Sequence, residues 1–598
     1  MCGIAGIITP NARNYQNEIR RMTNAISHRG PDAEHFEYFE NAALGHRRLS
    51  IIDLSENGKQ PMFSAGKNEC IVLNGEIYGY QNIKTKYSSY PFKGNSDTEV
   101  ILAMYQEKQE NLIDDLPGMF AFAIWDEKRQ QLFCARDRFG EKPFYYASGK
   151  NGEFIFASEI KAILASDLIQ PVIDQKALSH YLQFGYVSTF QSIYSNVFSL
   201  PPAHQLIFKD GKISVKRYYS LPQKDRPISL SEAKEEFSFL LKNAVKKQLI
   251  ADVEVGSFLS GGLDSSSIVA MVNEFLPNQT TISFGYDHEE SELKYAKEIA
   301  DKYNTHHLEI HEKKADLVES LLKIAPFLDE PFADRSCLPH FEICRSARKH
   351  LKVVLSGDAG DELFGGYSFY QVENQLKNHF SYQNLVARSG LKLYKNFRKI
   401  SFISSQNLLH SSILDFHQNN VRNFFTKEER KNLGVRAEYH QPYSFPADQN
   451  SLNDIMRTDL EKFVPGNMMV KSDRMAMANS LEVRTPFLDK DFAEFCITLP
   501  ENLKIDGEND KIILRETMKS CWTETIRNRK KQGFGIGIES WFKEKNLMKF
   551  SDDLLKDRRE KVFDLIDYNE TQKHLDKGQK HWNLMQLSLW AKNNATYL

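Results

Sequence analysis

The pattern of strands and helices changes near residue 200, and this change is the strongest constraint on the fold. Before it, short runs rich in Ile, Val, Phe and Tyr are separated by turns, as is typical of β-strands. The clearest are CGIAGII, ALGHRRLSIID, ECIVLNGEIY, MFAFAIWDEKRQQLFCARD and FIFASE. The segment TEVILAMYQEK has helical spacing instead. The first part of the chain is therefore predicted to form stacked sheets with helices.

After about residue 229, strands alternate with helices. Ser229 and Glu232 have the spacing of a capping box at a helix start. The strands EVGSFL, TTISFGY, HHLEIH and KVVLSG follow, with helical segments between them, which predicts a doubly wound parallel sheet. We place one domain at residues 2–205, a linker at 206–228 and a second domain at 229–598. The segment 199–222 has a Pro pair and a DG turn, which predicts a connecting hairpin. Residues 370–460 are polar and helical and contain no motif, and helical packing is expected after residue 540.

Composition excludes several classes of protein. Lys and Arg number 77 against 79 for Asp and Glu, so no basic surface for nucleic acid or anionic lipid is expected. No apolar run approaches the roughly 18 residues of a membrane span, and the N-terminus lacks the basic region of a signal peptide. Seven scattered cysteines without a C-x-x-C pair predict neither disulfides nor zinc. We expect a cytoplasmic protein with reduced thiols.

Cys2 is the cysteine that stands apart. A small second residue permits removal of Met1, which leaves Cys2 with both a thiol and a free α-amine. An α-amine has a pKa of about 7.7–8.0, so near neutrality it can act as the base for its own thiol. A cysteine at position two also arises by chance, and further residues are needed to support this interpretation.

Three nearby segments supply such residues. Arg48 in GHRRLSIID can hold a carboxylate through two hydrogen bonds. Asn74 and Gly75 in LNGEIY can offer an amide and a backbone N–H to an oxyanion. Asp97 in NSDTE can pair with an ammonium group. Singly, each is more often a surface arginine, a turn or a helix cap, and only the combination is specific.

Together with HRGPD (28–32) and RDRFGEKPFYY (136–146), these segments resemble the class II glutamine amidotransferase domain. The resemblance covers about residues 2–200 and implies an N-terminal-nucleophile hydrolase fold, an αββα sandwich. By this resemblance Cys2 is the nucleophile, and Asn74 and Gly75 stabilise the oxyanion. The residues that grip the amino-acid end of glutamine are then Arg48, Asn74, Glu76 and Asp97. Gly79 departs from the asparagine usual after NGEIY, and we expect little consequence.

A second motif, SGGLDSS (260–266), lies between a strand and a helix. Successive backbone N–H groups at a helix start form an anion site. The segment is not a Walker A loop, and a plain Gly-Gly turn is the alternative. It resembles the pyrophosphate loop of the ATP-pyrophosphatase family, which cleaves ATP between the α and β phosphates. The resemblance implies ATP contacts from Ser260, Gly261, Gly262, Asp264, Ser265 and Ser266, with Asp264 also on Mg²⁺.

An acidic loop, SGDAGDE (356–362), follows the strand KVVL. Two carboxylates after a buried strand suit a metal or a proton acceptor at the carboxyl edge of a parallel sheet. A solvated acidic turn is the alternative. This loop, DEPFAD (329–334), KSDRMAMANSLEVRTPFLD (471–489) and KKQGFG (530–535) are similar to the synthetase domain of the glutamine-hydrolysing asparagine synthetase family.

That resemblance spans nearly the whole chain and implies further roles. The ATP site would include Ser283, Phe284, Ser356 and Gly357. Asp361 would be the second Mg²⁺ carboxylate, and Lys531 (or its neighbour Lys530) would neutralise phosphate charge. Arg335 would meet the acceptor carboxylate, and Asp358 would accept a proton where the family usually carries Glu.

The function implied is glutamine-dependent amidation with MgATP, in which ammonia passes through an internal channel. L-Aspartate is the expected acceptor, and a sugar uronate or peptide carboxylate is the alternative because Asp358 departs from the family pattern. A non-catalytic homologue is disfavoured because Cys2 and SGGLDSS are intact. A nucleic-acid enzyme is disfavoured by the net charge of −2. A homodimer is expected from the resemblance.

Overall fold

The computed structural model describes residues 1–286, 292–312, 316–380, 412–437, 451–529 and 538–597. The strands are β1 (Gly3–Ile8), β2 (Ala33–Tyr38), β3 (Ala42–Arg48), β4 (Met62–Phe63), β5 (Glu69–Glu76), β6 (Met119–Asp126), β7 (Gln131–Arg136), β8 (Tyr145–Ser148), β9 (Phe154–Ala157), β10 (Val197–Ser199), β11 (His204–Lys209), β12 (Lys212–Arg217), β13 (Val255–Phe258), β14 (Thr280–Tyr286), β15 (His306–Glu312), β16 (Val353–Leu355) and β17 (Glu482–Arg484).

The α-helices of the described residues are α1 (Gln16–Ala25), α2 (Tyr80–Lys86), α3 (Asp97–Lys108), α4 (Ile160–Leu164), α5 (Gln175–Phe184), α6 (Leu230–Gln248), α7 (Leu263–Asn273), α8 (Leu293–Tyr303), α9 (Leu317–Ile324), α10 (Cys337–Ala347), α11 (Gly360–Phe364), α12 (Ser368–Phe380), α13 (Ile413–Phe416), α14 (Lys427–Asn432), α15 (Leu452–Thr458), α16 (Met469–Met477), α17 (Lys490–Thr498), α18 (Ile512–Met518), α19 (Glu524–Asn528), α20 (Ile538–Trp541), α21 (Lys545–Leu555), α22 (Tyr568–Gln572) and α23 (Gln579–Asn593). A π-helical stretch, Asp459–Met468, joins α15 to α16. None of these helices is long and apolar enough to cross a membrane.

Two six-stranded sheets form the N-terminal part, with the strand orders β10-β8-β9-β1-β3-β2 and β12-β11-β7-β6-β5-β4. One apolar cluster holds Ile4 and Leu44 from the first sheet together with Val72 and Trp125 from the second, so the sheets pack face to face. Helices α1, α4 and α5 cover the outer face of the first sheet, and α3 covers that of the second. The predicted αββα sandwich is confirmed.

The predicted hairpin in 199–222 is present as β11 and β12, and β11 pairs with β7. Its strands therefore continue the second sheet instead of bridging freely to the next domain. We propose that the boundary between the two domains follows Arg217. The predicted capping box is also present, since the Ser229 hydroxyl accepts from Glu232 N at 3.3 Å and the Glu232 carboxylate accepts from Ser229 N at 3.0 Å.

The C-terminal part contains a five-stranded sheet of order β15-β14-β13-β16-β17, and all four strand pairs are parallel. The predicted doubly wound parallel sheet is confirmed. From β13 the chain adds β14 and β15 on one side of the sheet, and it then adds β16 and β17 on the other side of β13. In such sheets the crevice for ligands lies at this reversal, beyond the carboxyl ends of the two strands.

Buried ion pairs join the two parts of the molecule. The Arg29 guanidinium donates to both carboxylate oxygens of Asp473 at 2.8 Å, although the two residues are 444 positions apart. Two further pairs bring residues of β17 against the first domain. We call the three pairs together the interdomain ionic seam: Arg29–Asp473, Met1 ammonium–Glu482 at 2.6 Å, and Arg484–Glu76 at 3.3 Å.

The seam predicts a large effect of Arg29→Met on stability. The change leaves Asp473 buried without its hydrogen-bonded counter-ion, which costs about 3–5 kcal/mol. For a domain of about 200 residues this corresponds to a fall in Tm of about 6 °C or more. The matched control is Arg226→Met, which removes an exposed pair with Glu236 and should change Tm little. Equal shifts in calorimetry for the two variants would show that the seam does not stabilise the protein.

Candidate functional site

Cys2 lies buried just before β1 and beside β5. Its backbone nitrogen donates to Asn74 Oδ1 at 3.1 Å. The other side-chain atom of this amide, Asn74 Nδ2, is buried and has no hydrogen-bond partner among the described residues. A buried amide donor without a partner is costly, so it marks a position where an acceptor is expected to bind. The structure thus brings together Cys2 and the predicted oxyanion donor.

Burial raises the pKa of the Cys2 thiol, against the opposing effects of the N-terminal ammonium, the Leu49 backbone and Arg48. Because the thiolate is the nucleophile, this thiol needs a base nearby. With Met1 in place, the Cys2 nitrogen is an amide and the ammonium group belongs to Met1, which binds Glu482. Removal of Met1 would convert the nitrogen beside Asn74 into the predicted amine base.

Gly75 follows Asn74 on β5 and pairs with Phe120 of β6. A Cβ added at Gly75 would lie 2.3 Å from the Met119 carbonyl oxygen. Only glycine allows this close approach of the two backbones. The position is therefore fixed by packing, and the predicted role of the Gly75 N–H as the second oxyanion donor stays a prediction.

Glu76 and Asp97 are two buried acids, and Glu76 lies two residues after Asn74 on β5. Burial raises the pKa of Asp97 to about 6, although its carboxylate accepts from Ile77 N at 2.9 Å. Burial and the neighbouring Asp97 raise the pKa of Glu76 well above its ordinary value. A cationic ligand such as an α-ammonium group would stabilise the ionised forms of these two buried acids, so the pair favours such a ligand.

Arg48 is held by backbone carbonyl groups. Its guanidinium donates to Ile52 O at 3.4 Å and Ser55 O at 3.3 Å, and it also donates to Asp53 O. These contacts fix the arginine beside the loop that follows β3. Its predicted binding of a carboxylate stays a prediction.

A second site is a cavity of about 630 Å³ beyond the carboxyl ends of β13 and β16. This is the crevice that the strand order predicts. Most of the residues predicted for ATP, metal and acceptor line it: Ser260, Gly261, Gly262, Asp264, Ser265, Phe284, Arg335, Ser356, Gly357, Asp358 and Asp361.

Two predicted ATP residues do not line this cavity. The Ser283 hydroxyl donates to the Leu259 carbonyl at 2.5 Å, and Ser266 is fully buried in α7. Both lie behind the cavity wall and support neighbours that face it. Lys531 and Lys530 lie outside the described residues.

The two glycine-containing loops of the cavity touch one another. Gly261 has a φ of +70°, and a Cβ there would lie 2.5 Å from the Tyr295 Cβ. A Cβ at Gly360 would lie 2.6 Å from Asp264 Oδ1. The glycines thus let SGGLDSS turn into α7 and let the acidic loop pack against Asp264. The N-terminal amides of α7 and the carboxylates of Asp264 and Asp361 therefore belong to one site.

Lys511 is a central residue of the cavity, and no motif in the sequence predicted it. Its ammonium lies 2.5 Å from Asp264 and 2.7 Å from Asp361. These carboxylates outweigh the effect of burial and raise the pKa of Lys511. Mg²⁺ typically takes one or two protein carboxylates together with phosphate oxygens and water. The two aspartates fit such an ion at the same cavity as a nucleotide.

The signal that could have indicated Lys511 is a lysine at the start of a helix. It has a left-handed φ of 51° at the start of α18, where acidic side chains are favoured and a cation opposes the helix dipole. Residues that break local rules tend to mark functional sites. Within the described residues, no cluster of three or more His, Cys, Asp or Glu side chains could hold a metal ion.

Arg422 brings a further cation to the cavity from the region without a motif. Its guanidinium lies 3.5 Å from the centre of the Phe463 ring and 3.0 Å from Asp459. His417 bridges Asp459 and Glu373, and these carboxylates, against the effect of burial, raise the pKa of His417 to about 9. With Lys471, Arg515 and Arg529 also on its wall, the cavity suits a polyanionic ligand.

Comparison with known proteins gives two family matches. The model described as "asparagine synthase" matches residues 236–592, more than half of the chain, and that described as "glutamine amidotransferase domain" matches residues 1–219. A Bacillus subtilis protein named asparagine synthetase [glutamine-hydrolyzing] 1 is 32% identical over 99% of this chain and 97% of its own length. Asparagine synthetase [glutamine-hydrolyzing] 3 from the same organism is 31% identical over 91% of this chain and 89% of its own length.

The Lys511 contacts predict that Lys511→Met creates a cation-dependent site. Without the ammonium group, Asp264 and Asp361 repel each other, and a divalent cation relieves this repulsion. Millimolar MgCl₂ should raise the Tm of the variant by about 2–4 °C more than that of the unmodified protein, equivalent to about 1 kcal/mol. The control, Lys519→Met, removes an exposed lysine beside Glu516. A Lys511→Met protein whose melting curve ignores Mg²⁺ would contradict the assignment of these carboxylates.

Proposed function

The chain belongs to the asparagine synthase family, and we propose that it makes asparagine from aspartate, glutamine and ATP. It is a ligase that takes its amide nitrogen from glutamine. The observation that carries the proposal is the presence of two sites in one chain: the Cys2–Asn74 pair and the cavity beyond β13 and β16. The names of the curated relatives favour aspartate over a sugar uronate or a peptide carboxylate.

At the first site, the Cys2 thiolate attacks the side-chain carbonyl of glutamine. The buried Asn74 Nδ2 and the Gly75 N–H donate to the oxyanion of the tetrahedral intermediate. The α-amine of Cys2, which has taken the thiol proton, passes it to the leaving nitrogen. The intermediate then collapses, releasing ammonia and leaving a thioester on Cys2, which water hydrolyses to glutamate. Glu76 and Asp97 hold the ammonium group of the substrate, and Arg48 holds its carboxylate.

At the second site, a carboxylate oxygen of aspartate attacks the α-phosphorus of ATP, and pyrophosphate leaves. The SGGLDSS amides at the start of α7 bind the pyrophosphate group, and Lys511 offsets its negative charge. Asp264 and Asp361 would hold Mg²⁺, which when bound neutralises phosphate charge. The use of ATP follows from the family, and the use of Mg²⁺ is our proposal. Arg335 is the proposed contact for the acceptor carboxylate.

Ammonia then attacks the acyl-adenylate, and AMP leaves as the amide forms. The positively charged adduct must lose a proton, and we assign this step to Asp358 on the cavity wall. The Ser356 hydroxyl donates to Asp358 Oδ2 at 3.0 Å, which orients the carboxylate. The adjacent Ala359 has a left-handed φ of 68°, so the loop turns sharply after the shorter acid.

We propose that ammonia passes between the two sites along helix α16. Lys471 lines the large cavity, whereas Ser472 and Asp473 line a cavity of about 10 Å³ beside Met1. This smaller space holds about one water-sized molecule. Passage inside the protein protects ammonia from protonation to the non-nucleophilic ammonium ion. We also propose a cytoplasmic location, and a homodimer stays a prediction of the family resemblance.

Separate sites predict that Cys2→Ala abolishes glutamine-dependent asparagine formation. Synthesis from added ammonium salts should persist within about twofold, because the second site needs only ammonia. The assay follows asparagine, AMP and pyrophosphate, with aspartate first in a panel of carboxylates. Parallel loss of both activities would contradict separate sites, and ADP with phosphate as products would contradict adenylation.

The raised pKa of Asp97 predicts a pH dependence of glutamine binding. Asp97 holds an ammonium group only when ionised, so its affinity is lost as the pH falls through about 6. The KM for glutamine should rise by about tenfold per pH unit below that value and be flat above pH 7. Ammonia-dependent synthesis at fixed free ammonia is the control. An unchanged KM for glutamine from pH 5.5 to 7.5 would exclude Asp97 from this role.

A further inference from the structure

Arg484 contacts the glutamine site through its side chain. It ends β17, and its side chain is fully buried. Its Nε donates to Glu482 at 2.7 Å, and its Nη1 donates to the carbonyl groups of Gln248 and Ile250 at 2.6 and 2.8 Å. The remaining nitrogen, Nη2, lies 3.3 Å from Glu76 but makes no hydrogen bond to any described residue.

The backbone of Arg484 contacts the second site. Its carbonyl oxygen accepts from Ser356 N at 2.9 Å, at the point where β16 ends and the acidic loop begins. Leu355 and Arg484 are partners in the parallel β16–β17 pair. The Ser356 hydroxyl in turn accepts from Asp358 N at 3.4 Å and donates to the Asp358 carboxylate. One residue therefore joins Glu76 to the loop that carries the proposed proton acceptor.

The Arg484–Glu76 contact is sensitive to what occupies the first site. Burial and the neighbouring Asp97 raise the pKa of Glu76, whereas Arg484 opposes this rise, so the charge on this acid depends on the groups beside it. An ammonium group bound there stabilises the ionised carboxylate. Nη2 then faces a full negative charge and gains the charge-assisted hydrogen bond that it lacks.

We propose that Arg484 is a positioning residue that couples glutamine binding at Glu76 to the arrangement of the Ser356–Asp358 loop. This inference rests on the proposed function and adds the means by which the two sites act together. Coupling of binding is reciprocal, so occupancy of the ATP and aspartate cavity must change glutamine affinity by the same factor. Ammonia release would thereby be favoured when an acceptor is present.

The test measures glutamine affinity by calorimetry in Cys2→Ala protein, which binds glutamine without consuming it. Titrations are made with and without aspartate, Mg²⁺ and an ATP analogue with a methylene group between the α and β phosphates. We expect the two dissociation constants to differ by about fivefold or more. With Arg484→Lys the ratio should fall to about one, because a single ammonium group cannot span Glu482, Gln248, Ile250 and Glu76.

The matched control is Lys352→Gln. Lys352 also forms an interdomain ion pair, with Asp32 at 2.7 Å, and lies at the other end of β16. It contacts neither Glu76 nor the acidic loop, so this variant should keep the ratio of the starting protein. Ammonia-dependent synthesis, measured with Cys2 present, should persist in Arg484→Lys, which separates loss of coupling from loss of fold.

A second measurement needs no change at Arg484. Glutamine binding to Cys2→Ala protein should slow amide hydrogen exchange in residues 353–364, whose Ser356 N–H is bonded to Arg484 O. Unchanged exchange there, a ratio of one in the starting protein, or an unchanged ratio in Arg484→Lys would each overturn the proposal. Absence of any glutamine binding would instead refute the proposed function.

Discussion

The interdomain ionic seam is the interaction on which both sites depend. Its ion pairs lie out of water, where an unpaired charge costs several kcal/mol. Glu482 illustrates the balance: burial alone would raise its pKa, but the Met1 ammonium and Arg484 lower it to about 2. Each pair tolerates little displacement, so together they hold the Cys2 edge of the first domain against α16 and β17. Lys471 of α16 lines the second site, and β17 pairs with β16, which ends at the acidic loop of that site.

The seam also brings helix α16 against the first domain, while the same helix contributes to the large cavity. Asp473 faces Arg29 from α16, and Lys471, two residues earlier, lines the large cavity. A helix turns by 100° per residue, so neighbouring positions present their side chains to different sides. Different sides of this helix thus face the first domain and the large cavity. Its position is fixed by charge pairing and not by apolar contact alone.

Local sequence patterns predicted the helices and strands. The order of the strands and the contacts between the two domains depend on long-range pairing, which these patterns do not predict. The capping box at Ser229 and the strands of both sheets follow from neighbouring residues. The order of the strands and the contact between Arg484 and Glu76 join residues hundreds of positions apart, for which one sequence holds no local mark. The hairpin of β11 and β12 was found by its turn, but its place in the second sheet was not.

The loops were predicted well, whereas individual residues within them required geometry. Ser283 and Phe284 are neighbours on β14, and successive strand residues point to opposite faces, so only Phe284 lines the cavity. Ser266 follows Ser265 by one position in α7, and its side chain is buried in the protein interior. A family resemblance assigns the same ligand to all residues of a motif. The period of the element then decides which of its residues reach the ligand.

The burial of Met1 constrains when the Cys2 amine can form. Its ammonium is paired with Glu482, which lies 481 positions later in the chain. At a synthesis rate of about 5–20 residues per second, Met1 stays without this partner for roughly 24–96 s. Once β17 docks, the side chain of Met1 is only 1% exposed and cannot reach an enzyme active site. If Met1 is removed, we expect this to happen before the seam closes, and the seam of the processed protein then keeps the Arg29–Asp473 and Arg484–Glu76 pairs.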